Sequence, residues 1–134
     1  MTEINGKGLD TPPGKPIVLV DFDGVIHSYS SGWHGPTVIP DPPVSNAIEW
    51  LNDIIESNLF EIHIFSSRNF HEGGIEAMED YLLDNGLKTD NFLKIKFPTV
   101  KSPAHIIIDD RAINFSGVFP TEEDVLNFKP WYKN

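Results

Sequence analysis

Ile17-Val18-Leu19-Val20-Asp21-Phe22-Asp23-Gly24-Val25-Ile26 decides how the rest of this chain is read. Four apolar residues with strand preference run into two aspartates spaced i, i+2, and then a glycine. An unbroken apolar run of this length reads as a strand buried on both faces, as in a parallel sheet. Open α/β sheets bind ligands at the carboxyl ends of their strands. The two acids therefore stand where such a sheet places its chemistry, and Gly24 lets the backbone turn tightly beside them. Carboxylates this close repel unless a cation or a shared proton intervenes. Alone, the segment is also readable as a strand ending in a polar turn, because Asp and Gly are common turn residues.

To the N-terminal side, residues 1–15 hold Gly6, Gly8, Pro12, Pro13 and Gly14 and read as a flexible leader to a single domain over 16–134. The first strand covers about 16–22. Residues 27–43, with Gly32, Gly35, Pro36, Pro40, Pro42 and Pro43, exceed the usual connection length and read as a functional flap. Val44, Ala47, Ile48, Leu51, Ile54 and Ile55 recur at helical spacing and predict a helix over about 43–58, with Pro43 in its first turn. A second strand at about 59–65 ends in Phe65-Ser66-Ser67-Arg68. A second helix is predicted at about 73–85, with Ile75, Met78 and Leu82 on one face and Gly86 past its end. Phe92, Lys94, Ile95, Lys96 and Phe97 alternate imperfectly, which reads as an edge strand over about 92–97. His105-Ile106-Ile107-Ile108 is a fourth strand, and it too ends in acids, Asp109-Asp110. Thr121-Glu122-Glu123-Asp124 has the form of a capping box opening a short last helix. Strands alternating with helices imply an α/β fold with a parallel sheet and right-handed crossovers.

The 134 residues suit one hydrophobic core. Ten Lys+Arg against twenty Asp+Glu give a formal charge of −10, which disfavours loose binding to nucleic acid or an anionic membrane. The absence of cysteine excludes disulfides and thiolate metal sites and fits a reducing compartment. No apolar run approaches the roughly 18 residues of a membrane span, and no signal-peptide core opens the chain. The expectation is a cytoplasmic protein with no membrane partner.

Four strand ends carry polar signals in order: Asp21 and Asp23, then Ser66, then Lys101 ahead of a strand, then Asp109 and Asp110. This order resembles the haloacid-dehalogenase-like (HAD) superfamily of phosphohydrolases. The resemblance rests on D-F-D-G-V at the first motif, I-H-I-F-S at the second, the lysine of K-S-P at the third and I-I-I-D-D at the fourth, and it spans about residues 16–112. It implies a three-layer α/β/α Rossmann-like domain with strand order 3-2-1-4 and only the 27–43 flap as a cap. Adjacency of the first and fourth strands follows also from their acids needing one cation. The implied reaction is Mg²⁺-dependent hydrolysis of a phosphate monoester, a phosphatase activity with an aspartyl-phosphate intermediate on Asp21. A carboxylate is a recognised nucleophile toward phosphorus. Asp23 is then general acid for the leaving alcohol and base for the hydrolytic water. By the same resemblance Asp21 and Asp109 bind Mg²⁺ through carboxylates and Asp23 through its backbone carbonyl, while Asp110 binds directly or supports the ligands. Ser66 donates to the phosphoryl oxygens, with Ser67 its rival. Lys101 neutralises Asp21 and holds the phosphoryl group, with Lys94 and Lys96 its rivals.

Four aspartates, one Mg²⁺ and one lysine leave a net negative charge before a phosphate dianion arrives. Protonating Asp23 brings the site to neutrality, and Arg68 or Arg111 would make it positive. Arg68, beside the second motif, is accordingly read as a contact to substrate phosphate, the alternative being a surface arginine. Tyr29 and Trp33 either stack on substrate or fold the flap onto the body, and the five histidines, without metal-ligand spacing, read as structural or surface residues, with substrate contact the alternative for His34 in the flap. A phospho-receiver domain also uses acids, Mg²⁺, a hydroxyl and a lysine, but its acidic pair comes first and its lysine last. A true dehalogenase lacks the second acid of the first motif, and a non-catalytic domain has no need of the whole set. The partner expected is a small phosphorylated molecule or, as the alternative, the phosphorylated end of an oligonucleotide. The sequence leaves the oligomeric state open.

Overall fold

The structure is a computed structural model and describes residues 14–133. The leader expected over 1–15 lies outside the described residues except for 14 and 15. Strand β1 (Ile17–Val20) is buried along its whole length, as its unbroken apolar run requires. It is followed by α1 (Ala47–Glu56), β2 (Glu61–Ile64), a 3₁₀ turn (Ser67–Phe70), α2 (Gly74–Asp84), α3 (Thr89–Phe92), β3 (Ile106–Ile108) and α4 (Glu122–Leu126). The strands form a parallel sheet in the order β2-β1-β3. Val18 stands opposite Ile62 and Ile106, and Val20 opposite Ile64 and Ile108. The α/β class with a parallel sheet therefore holds, with β1 in the centre. The chain runs outward from β1 to β2 and then returns past β1 to β3. That reversal opens a crevice at the carboxyl ends of β1 and β3, the usual place for a ligand.

Alternation along the strands puts Val18, Val20, Ile62 and Ile64 on one face. They join a core with Phe22 and Ile26, with Leu51 and Ile55 of α1, and with Met78 and Leu82 of α2. The other face carries His63, bonded through Nδ1 to Ser102 Oγ at 2.6 Å and through Nε2 to Glu61 Oε1 at 2.6 Å. Both sides of β3 stay open: Ile106 is 53% exposed and Ile107 44%. Helix α4 forms its capping box, Thr121 with Asp124, but buries no residue. A helical layer on each face of the sheet is thus not completed among the described residues. No helix among them is long and apolar enough to cross a membrane.

Two elements differ from the sequence reading. The strand expected over 92–97 is a single bridge, in which Lys96 donates to Ile62 O at 3.1 Å and accepts from Ile64 N at 2.8 Å. Thr89–Phe92 has already turned into α3, and Pro98 follows too soon to extend a ladder, since proline lacks the N–H. The helix expected from 43 begins at Ala47. The preceding residues close the base of the flap instead: Ser28 N donates to Pro42 O at 3.0 Å and Val44 N to Ile26 O at 2.7 Å. The other strands and α2 keep their places with ends trimmed by at most two residues, and Gly86 takes φ +109 beyond α2.

Candidate active site

Asp21 follows β1 directly, and its N–H donates to Ile108 O at 2.9 Å, so the ends of β1 and β3 are stitched together. This brings one carboxylate oxygen each of Asp21, Asp109 and Asp110 within 4.8 Å of one another. Asp109 is exposed, the other two half-buried. Burial, a hydrogen bond to Asp110 and the charge of Asp109 push Asp21 up to about 9. Three carboxylates so close hold either a proton or a cation. Three hard oxygen donors converging on one point fit Mg²⁺, which takes carboxylates together with water and substrate phosphate. Gly24 is required beside them: its φ is +81, and a Cβ there would overlap the Asp110 carboxylate and the Tyr132 ring.

The Asp23 carboxylate has partners of its own. Arg68 Nε donates to its Oδ2 at 2.9 Å and Arg68 Nη2 to its Oδ1 at 3.0 Å. His27 lies 2.8 Å from the same Oδ1 through Nδ1. The Asp41 N–H donates to His27 Nε2 at 3.2 Å, which leaves the ring proton on Nδ1, facing Asp23. Burial of Asp23 opposes its ionisation, but hydrogen bonds from His27 and Arg68 outweigh that and lower its pKa.

Arg68 therefore does not present itself to substrate phosphate, contrary to the expectation. It is fully buried. Its remaining donor, Nη1, goes to three flap carbonyls, Gly35 at 3.0 Å, Pro36 at 2.8 Å and Val38 at 3.3 Å. Bonded to Asp23 on one side and to flap carbonyls on the other, the guanidinium ties the flap to the first motif. A buried arginine is stable only when so paired.

A cavity of about 170 Å³ opens onto Asp21, Asp23 and Asp110. Ser66, Ser67 and Arg111 line it, with Tyr29, Trp33 and Tyr132. Ser66 Oγ accepts from the Arg68 N–H at 3.2 Å, so its own O–H remains to donate into the cavity. Lys101 does not line it. It lies exposed ahead of β3, and the adjacent Ser102 is bonded to His63 on the sheet face opposite the core. His34 is likewise elsewhere, with Nε2 2.9 Å from Ser31 O. Sequence reasoning passed over Tyr132. Its hydroxyl is raised by burial and by a hydrogen bond to Asp110, against the opposing pull of Arg111. No local signal marks that residue, because its neighbour Trp131 reaches the first motif across 107 positions, donating from Nε1 to Gly24 O at 2.7 Å.

No protein-family model matches the sequence, and no curated protein or solved structure matches it. The functional reading stands on this geometry and its chemistry.

Proposed function

We propose that the chain is a Mg²⁺-dependent phosphatase of the haloacid-dehalogenase-like kind, acting on a small phosphate monoester. The observation that carries this reading is the convergence of Asp21, Asp109 and Asp110 at the ends of neighbouring parallel strands, beside a cavity of phosphoryl size that Asp21 and Asp110 line. The wider fold assignment, a three-layer Rossmann-like domain, is part of the same proposal and draws support from the parallel order β2-β1-β3 with Lys96 bridged beyond β2.

In this mechanism Asp21, Asp109 and Asp110 would hold Mg²⁺, which would supply positive charge to offset that of the phosphoryl group and the carboxylates. An Asp21 oxygen attacks phosphorus, the bond to the leaving oxygen breaks, and the phosphoryl group passes to Asp21. Ser66 and Arg111 steady the phosphoryl oxygens; Arg111 takes the part first expected of Arg68. Water then attacks the same phosphorus, the Asp21 oxygen departs, and inorganic phosphate leaves. Asp23, ionised by Arg68 and His27, is the base that takes the proton from that water. The proton it gains is the one it hands to the next leaving oxygen, in competition with loss to solvent. The test is phosphate release from p-nitrophenyl phosphate with Mg²⁺ or EDTA, alongside acid-quench trapping of labelled phosphate on the chain. Release that needs Mg²⁺ and disappears in Asp21→Asn is expected. Undiminished release by Asp21→Asn, or in EDTA, would refute the mechanism.

A further inference from the structure

The cavity holds three aromatic side chains that neither the acidic triad nor phosphoryl transfer requires: Tyr29, Trp33 and Tyr132. Trp33 lies over the Arg68 guanidinium, 4.8 Å from it to the ring centroid, yet 45% of the residue is exposed. An indole whose purpose is to pack the flap onto the body would be covered. This one is covered on its Arg68 side and lines the cavity. Tyr29 and Tyr132 meet edge to face at 6.0 Å. Tyr132 is held further by Trp131, edge to face at 5.8 Å, which is itself anchored to Gly24 O. Rings held in place before a ligand arrives bind flat groups at little entropic cost.

About 170 Å³ suffices for a phosphoryl group, so the rest of a substrate must extend over the rim where these rings stand. Arg111 is the one cation lining the cavity among the described residues, apart from which the floor is acidic and hydroxylic. With a chain charge of −10, the rim suits a single phosphate and not a long polyanion. We propose that the cavity takes a terminal nucleoside monophosphate, with its phosphate at the triad, Ser66 and Arg111 and its base stacked on Trp33. Every nucleobase offers a flat face to an aromatic side chain. A free mononucleotide and the phosphorylated end of a short strand share this chemistry. The proposal rests on the phosphatase reading for the position of the phosphate.

The test compares adenosine 5′-monophosphate and adenosine 3′-monophosphate with ribose 5-phosphate, which lacks the base, by titration calorimetry on the full chain in Mg²⁺. At least one adenosine phosphate is expected to bind about tenfold tighter than ribose 5-phosphate. Trp33→Leu should collapse that ratio, Trp33→Phe should keep most of it, and Tyr132→Leu, a second variant outside the flap sequence, should reduce it. Equal binding of base-bearing and base-free phosphates, binding of none of them, or a ratio untouched in Trp33→Leu and Tyr132→Leu would overturn the proposal. A 5′-phosphorylated tetranucleotide separates the sources: affinity at least tenfold above the mononucleotide assigns a strand end, and equal or weaker affinity assigns the free nucleotide. Phosphate release is followed separately. Base-dependent binding without release retires the phosphatase reading and leaves the nucleotide site standing, whereas release without base dependence does the reverse.

Discussion

Replacing Arg68 by methionine removes the guanidinium paired with Asp23 and strands the flap carbonyls of Gly35, Pro36 and Val38. Breaking a buried ion pair by deleting one partner costs about 3–5 kcal/mol, because the other charge stays behind. Asp23 keeps 15% of its side chain exposed and retains His27, so water and imidazole recover part of that loss. The lower end, about 3 kcal/mol, is the expected cost. For a chain of 134 residues that corresponds to a melting point lower by about 10–15 °C. Thermal and urea unfolding measure it, and a double-mutant cycle with Asp23→Asn assigns it. The double variant should recover about 2 kcal/mol or more of the summed single costs, since Asp23→Asn removes the stranded charge. Arg68→Lys should restore less than half, because an ammonium cannot span Asp23 and the flap at once. A drop under about 3 °C for Arg68→Met, with coupling below about 0.5 kcal/mol, would refute the idea that this guanidinium latches the flap.

Asp21 and Asp23 pull pH dependence in opposite directions. Asp21 is raised to about 9, so without a divalent cation its contribution to stability is full below its ordinary value of 3.8 and fades as pH rises toward 9. Asp23 is lowered, so its contribution is present above the ordinary value and fades as pH falls through its folded value. Melting in EDTA should therefore fall from pH 6 to pH 9, and Mg²⁺ should lift it most at the alkaline end, where no proton competes for Asp21; a Mg²⁺ effect that does not grow with pH contradicts this. Arg111→Ala should raise KM about tenfold in the phosphatase assay, while Lys101→Ala changes kcat/KM less than threefold; the reverse order would return Lys101 to the site. Gly24→Ala should cost about 1–3 kcal/mol from its left-handed φ, and calorimetry should also show weaker Mg²⁺ binding because the new Cβ displaces Asp110.

Much of this was legible from local pattern. The apolar run into Asp21 is a fully buried central strand, and the run into Asp109 is its parallel neighbour, because a period-free apolar stretch before acids has few other stable homes. The helical spacing of Ile48, Leu51 and Ile55 and of Met78 and Leu82 buries those residues, and Thr121 with Asp124 forms its capping box within four residues. Such signals are read within a turn or two of chain. Tertiary structure alone decided which charges meet. Arg68, Arg111 and Lys101 are equivalent cations on paper. Packing buries the first on Asp23 across 45 positions, sets the second on the cavity wall and leaves the third on an exposed turn. Tyr132 joins the site for the same reason, carried there by a contact spanning 107 positions. Desolvation and the geometry of approach select among like side chains, and both belong to the folded chain rather than to any stretch of it.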